Sequence, residues 1–285
     1  MKYPIVSTKT SDGLELFGYF DHSNNPTCLI NIHGSGASFY VEGYEPYFID
    51  ELSSINCSSL FTNNRGSFLM ESWQKSGAAV ELFEDSVKDI DAWIEFALEH
   101  GSTKIILQGH SFGTEKVVYY MTHGKHINVV AGVSLLGFAD SVGTEHQTLG
   151  SSFDLLLQEA TTKINTGKGY ELLTTIWNAN CNEMPMSADT FVNFFGENSA
   201  LSTALPLRNG KELTLYQNIN VPILAIIGDQ NEYTVIPIDD ALELLKRENT
   251  RTTTKKIIGA DHTFTKYRSE LVQTVSDWIV QNKLV

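Results

Sequence analysis

From residue 27 onward the chain keeps one rhythm: a short apolar run, a turn, then a stretch whose apolar residues recur at helical spacing. TCLINIHG (27–34), KIILQGHS (104–111), NVVAGVSLLGF (128–138), VPILAIIG (221–228) and TTTKKIIG (252–259) read as strands, and CSSLFTNNRGS (57–67) as a weaker one. EPYFIDELSSI (45–55), GAAVELFEDSVKDIDAWIEFALEHG (77–101), GTEKVVYYMTHG (113–124), PIDDALELLKRE (237–248) and SELVQTVSDWIVQNK (269–283) read as helices. Within 77–101, Val80, Phe83, Val87, Ile90, Ile94 and Ala97 share one stripe, which predicts a single amphipathic helix stopped by Gly101. Strands that alternate with helices pair in parallel through crossovers. The rhythm therefore confines the chain to an α/β fold, a mostly parallel, doubly wound sheet with helices on both faces. LELFGYFD (14–21), after the turn Ser11-Asp12-Gly13, adds an N-terminal hairpin.

Residues 141–215 break the rhythm. They are rich in Ser, Thr, Asn and Gly, and hold helix-like pieces at FDLLLQEATTKI (153–164) and ADTFVNFFG (188–196). They read as a helical insertion over one edge of the sheet, with 1–140 and 216–285 as the core. A chain of 285 residues, 42% hydrophobic and 19% charged, suits one large domain of this kind. The net charge of −14 argues against nucleic acid or an anionic membrane as partner, since both would be repelled. No run approaches the roughly 18 apolar residues of a membrane span. MKYPIVSTKTSDG lacks the apolar centre of a signal peptide, so the expected location is the cytoplasm. Cys28, Cys57 and Cys181 are far apart, fit no C-x-x-C pattern, and read as free thiols.

GHSFG (109–113) fits G-x-S-x-G at a strand-to-helix junction. A serine on so sharp a turn occupies strained backbone, so its neighbours must be small. Gly109 and Gly113 spare the adjacent strand and helix a Cβ. The turn projects Ser111 Oγ above the sheet, with the positive end of a helix beneath it.

With this motif the chain resembles the α/β-hydrolase superfamily, in its lidded, esterase-like branch, over nearly its whole length. NIHGSG (31–36) resembles the family's H-G-x-G loop. The resemblance implies an oxyanion hole made by the backbone N–H groups of Ser35 and Phe112. GADHTF (259–264), between the last strand and the last helix, lies where the family places its histidine. That makes His262 the base that takes the proton of Ser111. His33 and His110 become structural members of their turns, and no metal pattern is completed around them. Arg65, in NNRGS, matches a family segment that holds loops near the site together. Residues 141–215 become a lid, with Trp177, Phe191, Phe194, Phe195 and Leu201 as candidates for the wall of an acyl pocket.

The acid is the point of departure. The family pattern G-x-x-D would place an aspartate three residues after Gly228, but IIGDQNEYT (226–234) has Asn231 there. Glu232 is favoured, its extra methylene covering the one-residue offset. Asp229 in the same turn and Asp140, at the end of LLGFAD, are the rivals. Asn231 itself could orient the imidazole but could not stabilise imidazolium, and Asp-to-Asn at this position in a serine protease drops the rate about 10⁴-fold.

The expectation is a serine hydrolase that cleaves a carboxylic ester of modest size through an acyl-enzyme, with no cofactor and no metal. A thioesterase or amidase on the same machinery is the nearest alternative. A catalytically degenerate binding protein on the hydrolase fold is the other, suggested by the absent aspartate.

Overall fold

The computed structural model describes residues 4–174, 177–179, 182–210 and 212–285. Cys181 and the side chain of Trp177 lie outside what is described. The main sheet runs β1-β2-β4-β3-β5-β6-β9-β10. Its strands are β1 (Ile5–Lys9), β2 (Glu15–Asp21), β3 (Thr27–Ile32), β4 (Ser58–Thr62), β5 (Lys104–His110), β6 (Val130–Leu136), β9 (Ile223–Ile227) and β10 (Thr252–Lys256). The hairpin expected at the N-terminus is β1 against β2, pairing Ile5 with Tyr19 and Lys9 with Glu15. β2 also runs antiparallel to β4, and the remaining neighbours are parallel.

Successive side chains of a strand face opposite sides, which gives the sheet its two cores. β5 sends Ile105 and Leu107 to one face and Ile106 to the other. The first face is covered by α2 (Ser86–Glu99), α3 (Phe112–His123), α8 (Thr214–Gln217) and α9 (Ile238–Glu248). The second is covered by α1 (Glu45–Ser54) and α10 (Arg268–Gln281). Every residue of the weak strand β4 is buried.

One predicted element is shorter than its periodicity. The helix expected over 77–101 begins at Ser86. Gly77 has φ +121, and Phe83–Asp85 is a single 3₁₀ turn. Val80 and Phe83 therefore precede the helix. Phe83 is fully buried, its ring 5.0 Å from Tyr119 and 5.8 Å from Phe112. Glu81 turns inward onto Lys116 Nζ at 2.6 Å, with neither side chain exposed. Apolar spacing cannot separate a helix from turns that bury the same residues, and the inward Glu81 is what the pattern could not carry.

Between β6 and β9 lie α4 (Ser141–Leu149), α5 (Phe153–Asn165), α6 (Ala188–Phe195) and α7 (Leu201–Ala204), with a small hairpin of β7 (Trp177–Ala179) and β8 (Asn182–Met184). Their apolar side chains, among them Phe153, Leu156, Phe191, Phe194, Phe195 and Leu201, form a third cluster that closes on Phe83 and Phe112.

The junction of β5 and α3 is the tightest point of the fold. Ser111 has φ 55 and ψ −126, left-handed backbone that a side chain rarely adopts. A Cβ on Gly113 would lie 2.2 Å from the carbonyl oxygen of Ile32 in β3, and one on Gly109 would lie 2.4 Å from that of Gly113. These obstacles are backbone atoms and cannot swing aside. Gly113→Ala is expected to cost at least about 1–3 kcal/mol, the range for overpacking a well-packed site. A urea titration should show a lower midpoint at unchanged slope. A wild-type midpoint would mean that β3 and α3 do not approach this closely.

Candidate active site

The loops that follow β3, β5, β6, β9 and β10 gather at the carboxyl edge of the parallel strands, where open α/β sheets place their ligand crevice. Ser111 ends the β5 loop. Gly34, after β3, is so close that a Cβ on it would lie 2.9 Å from Ser111 Cβ. Phe112 is the first residue of α3, so its N–H has no intrahelical acceptor, and the helix dipole is positive there. Ser35 follows Gly34 in an exposed turn.

His262 lies across the cavity. Its Nδ1 is 2.6 Å from Glu232 Oε2. Its Nε2 is buried and has no hydrogen-bond partner among the described residues. Glu232 is 1% exposed at its side chain, and its other oxygen accepts from the Gly228 N–H at 2.9 Å. The two loops are pinned together, because the N–H groups of Asp229 and Gln230 both donate to the Ala260 carbonyl, at 3.2 and 3.1 Å. Tyr233 stands edge-on to the His262 ring with centroids 4.5 Å apart. Gly137, at φ +52, leaves room for that ring, since a Cβ there would be 3.1 Å from His262 Cε1 and Nδ1.

The rivals of Glu232 are engaged elsewhere. Asp229 accepts from the Gly259 N–H and from Gln230 Nε2, each at 2.8 Å, and these two bonds, the Gln230 one foremost, hold its carboxyl below the usual range. Asp140 is buried and caps α4 through the Gly143 N–H at 2.9 Å. It also accepts from the Arg208 N–H at 2.7 Å and pairs with the Arg208 guanidinium. Asn231 has φ 56, a left-handed turn position that asparagine tolerates better than most residues. That turn brings the next side chain, Glu232, round to the imidazole.

Two further histidines order the site. His33 spans from the Gly34 carbonyl, 2.6 Å from Nδ1, to Ser67 Oγ, 2.7 Å from Nε2. Burial, helped by the charge of Lys116, pulls its pKa down to about 4, so the ring is neutral. His110 Nε2 donates to the His262 carbonyl at 2.9 Å, while Nδ1 is 3.2 Å from Glu42 Oε1. Burial pulls the His110 pKa down, but the Glu42 charge outweighs it and the net shift is upward. Burial likewise pushes Glu42 up, and His110 with its neighbours outweighs that and holds the carboxyl at about 2. The pair clamps the backbone of His262. Glu42 carries no sequence signal, being one carboxylate in a loop without a motif. Arg65 lies outside the cavity, where it binds Asp89, Asp12 and Asp85 and so ties the N-terminal hairpin to α2.

Ser111 and His262 line the same cavity of about 190 Å³. Phe112, Phe194, Phe195 and Met184 form its apolar wall, and Ser141, Thr144, Glu145 and Thr148 of α4 line another. Phe191 is not part of this wall. It is fully buried, its ring 5.2 Å from Phe195 and 5.8 Å from Phe153, because it occupies the face of α6 that packs on α5. Leu201 is likewise packed in the third cluster. The Trp177 side chain lies outside the described residues. Among those residues, no group of three or more His, Cys, Asp or Glu could hold a metal ion, and no helix is long and apolar enough to cross a membrane.

Two carboxyls beside the cavity carry a pH dependence. Burial pushes both Glu115 and Glu145 up to about 8, although Glu115 accepts hydrogen bonds from Ser141. The folded chain thus keeps protons that the unfolded chain, near the ordinary 4.5, releases. Folding binds protons across that window, so each group makes stability fall as pH rises through it. Glu145→Gln removes one such group. The difference in Tm between variant and wild type should therefore move in favour of the variant from about pH 5 to about pH 8.5. A difference independent of pH would mean that Glu145 is not protonated in the folded chain.

Residues 71–282 match a family model described as "Protein of unknown function (DUF1749)". No curated protein matches the chain by sequence. Among solved structures the chain is similar to the α/β hydrolase GrgF from Penicillium sp. sh18, at TM-score 0.72 and 14% identity, covering 100% of each chain. It is similar to Est1E from Butyrivibrio proteoclasticus, bound to ferulic acid, at TM-score 0.66 and 14% identity, covering 98% of this chain and 100% of the other. It is also similar to the Pyrococcus furiosus esterase Pf2001, at TM-score 0.62 and 16% identity, covering 98% of this chain and 91% of the other. Identities this low carry the fold and no more, whereas the family model spans most of the sequence. The chain has the α/β-hydrolase fold and belongs to the family described as protein of unknown function (DUF1749).

Proposed function

We propose that the chain is a serine hydrolase that cleaves a carboxylic ester. One observation carries this reading. His262 has Nδ1 on a buried carboxylate and an Nε2 without a partner among the described residues, and it lines the same cavity as a serine held on a left-handed strand-to-helix turn. Catalytic hydrogen bonds are often long without substrate, so an unpaired Nε2 is compatible with a base that closes on Ser111 when substrate binds.

In this mechanism Ser111 Oγ attacks the ester carbonyl as its proton passes to His262 Nε2. The new Oγ–C bond makes a tetrahedral oxyanion, which accepts from the N–H groups of Ser35 and Phe112. Collapse breaks the bond to the alcohol, which leaves with the proton from Nε2. Water then attacks the acyl-enzyme by the same route and releases the acid. Glu232 holds the imidazole tautomer and stabilises imidazolium.

The binding-protein alternative drew its support from Asn231, and that support weakens when a carboxylate lies on His262 from position 232. Residues 141–215 act as a lid, a role supported by Ser141, Thr144, Glu145, Met184, Phe194 and Phe195 around the cavity. The substrate is a small acyl ester. A cytoplasmic location fits two buried free thiols, Cys28 and Cys57.

A fluorophosphonate probe should label the wild type and leave Ser111→Ala unlabelled. No labelling of the wild type would overturn the hydrolase reading. On p-nitrophenyl esters at neutral pH, Glu232→Gln should lose between about tenfold and 10⁴-fold in kcat, the upper figure being that of a lost triad carboxylate. Asp229→Asn should stay within a few-fold of wild type. Asn231→Asp should give no gain, and a large gain would mean that Glu232 is not the working acid.

A further inference from the structure

Among the described residues the carboxyl groups around the cavity are engaged, with one exception. Glu232 has His262, Glu42 has His110, Asp140 has Arg208, and Glu115 accepts from the N–H and hydroxyl of Ser141. Glu145 is 2% exposed, and its Oε1 is buried without a hydrogen-bond partner among the described residues. It lines the same cavity as Ser111 and His262. Among the described residues no lysine or arginine lines that cavity, so they offer Glu145 no counter-charge there.

An unpartnered polar group at a buried helix position lowers stability, and leucine or methionine would fill the place without that penalty. A carboxyl kept there points to a partner that arrives with the ligand. The neighbouring residues fit this. Ser141, Thr144, Glu145 and Thr148 recur at the spacing of one helix face, so the wall that α4 turns to the cavity is polar. Thr144 Oγ1 is 3.2 Å from the Tyr233 carbonyl, to which it donates, and it keeps its lone pairs free to accept. Facing this wall are Phe112, Phe194, Phe195 and Met184. Such a cavity suits a ligand with an apolar body and a polar end.

We propose that Glu145 accepts a hydrogen bond from a donor group on the substrate, so that the preferred substrates are esters bearing a hydroxyl or ammonium group away from the scissile bond rather than plain alkyl esters. The inference rests on the serine-hydrolase reading. Both groups share the chemistry that matters, a donor aimed at Oε1. They differ in charge, because an ammonium would pair with the ionised carboxyl and a hydroxyl can bond to the neutral one.

The test uses matched p-nitrophenyl esters of about four to eight acyl carbons, plain, ω-hydroxylated or ω-aminated, together with ethyl and 2-hydroxyethyl esters for the alcohol side. A site built to bond a substrate hydroxyl rejects the analogue lacking it by up to 10⁴–10⁵-fold. At one chain length or more, the wild type should favour the functionalised member by at least about tenfold in kcat/KM. In Glu145→Leu that ratio should collapse towards one, mainly through KM of the functionalised ester. Glu145→Gln, whose amide oxygen still accepts, should keep the preference if the group is a hydroxyl and lose it if it is an ammonium. A wild type labelled at Ser111 that shows no preference on either side of the ester would overturn this inference alone. So would a preference that survives in Glu145→Leu. A wild type that takes no fluorophosphonate would overturn the hydrolase reading and this inference with it.

Discussion

The fold turns on one strained residue. Ser111 adopts left-handed backbone where β5 passes into α3, a conformation that costs of order 1–3 kcal/mol and persists only where its surroundings over-determine it. The surroundings here are close backbone. Gly113 packs on the Ile32 carbonyl, Gly109 on the Gly113 carbonyl, and Gly34 on Ser111 Cβ. The same turn settles what lies next to it. It starts α3 beneath the serine and sends Phe112 outward into the cluster that holds the 141–215 segment to the sheet. A strained turn thus anchors both the Ser111 side chain and the structure above it.

Much of this was legible because it is local. A G-x-S-x-G between an apolar run and a helical run needs only a few neighbours to be interpreted, and its glycines have a steric reason visible in the spacing. The parallel pairing of the core strands follows from alternation in the same way, whereas their order, with β3 between β4 and β5, does not. The helix expected from Gly77 begins only at Ser86 because burial has two sources. Val80 and Phe83 continue the apolar stripe, yet they sit in turns, where Phe83 is fully buried and Glu81 between them reaches Lys116 on another helix. Phe191 and Phe194 differ in the same respect. They are three residues apart on one helix, but which of them faces the cavity depends on where α5 packs.

The loop after β9 shows where a motif stops being enough. A fixed spacing assumes that the turn after Gly228 has one shape. Here the residue in the expected slot takes a left-handed conformation, and the carboxylate comes from the next position on a longer side chain. The offset and the extra methylene offset each other, which made Glu232 the favoured choice over Asp229 and Asp140. The choice could not be decided from sequence, because it depends on the Gly259 N–H that holds Asp229 and the Arg208 that holds Asp140. Glu42 and Glu145 left no trace in the sequence at all. Each is a single acidic residue outside any motif, and its meaning lies in what surrounds it.

Those surroundings suggest how one cavity can hold carboxyls in different states. Glu42 and Glu145 line the same space, yet one is held at about 2 and the other pushed up to about 8. Burial acts on both in the same direction. The difference is His110, whose Nδ1 lies 3.2 Å from Glu42 Oε1, whereas among the described residues no such partner meets Glu145 Oε1. Glu42 therefore keeps its charge to hold the histidine that holds His262, and Glu145 gives up its charge and remains available. A chain selected for stability alone would have left neither carboxyl in this position without need. That the first has an evident structural task and the second has none among the described residues is the reason to look for the second partner in the substrate.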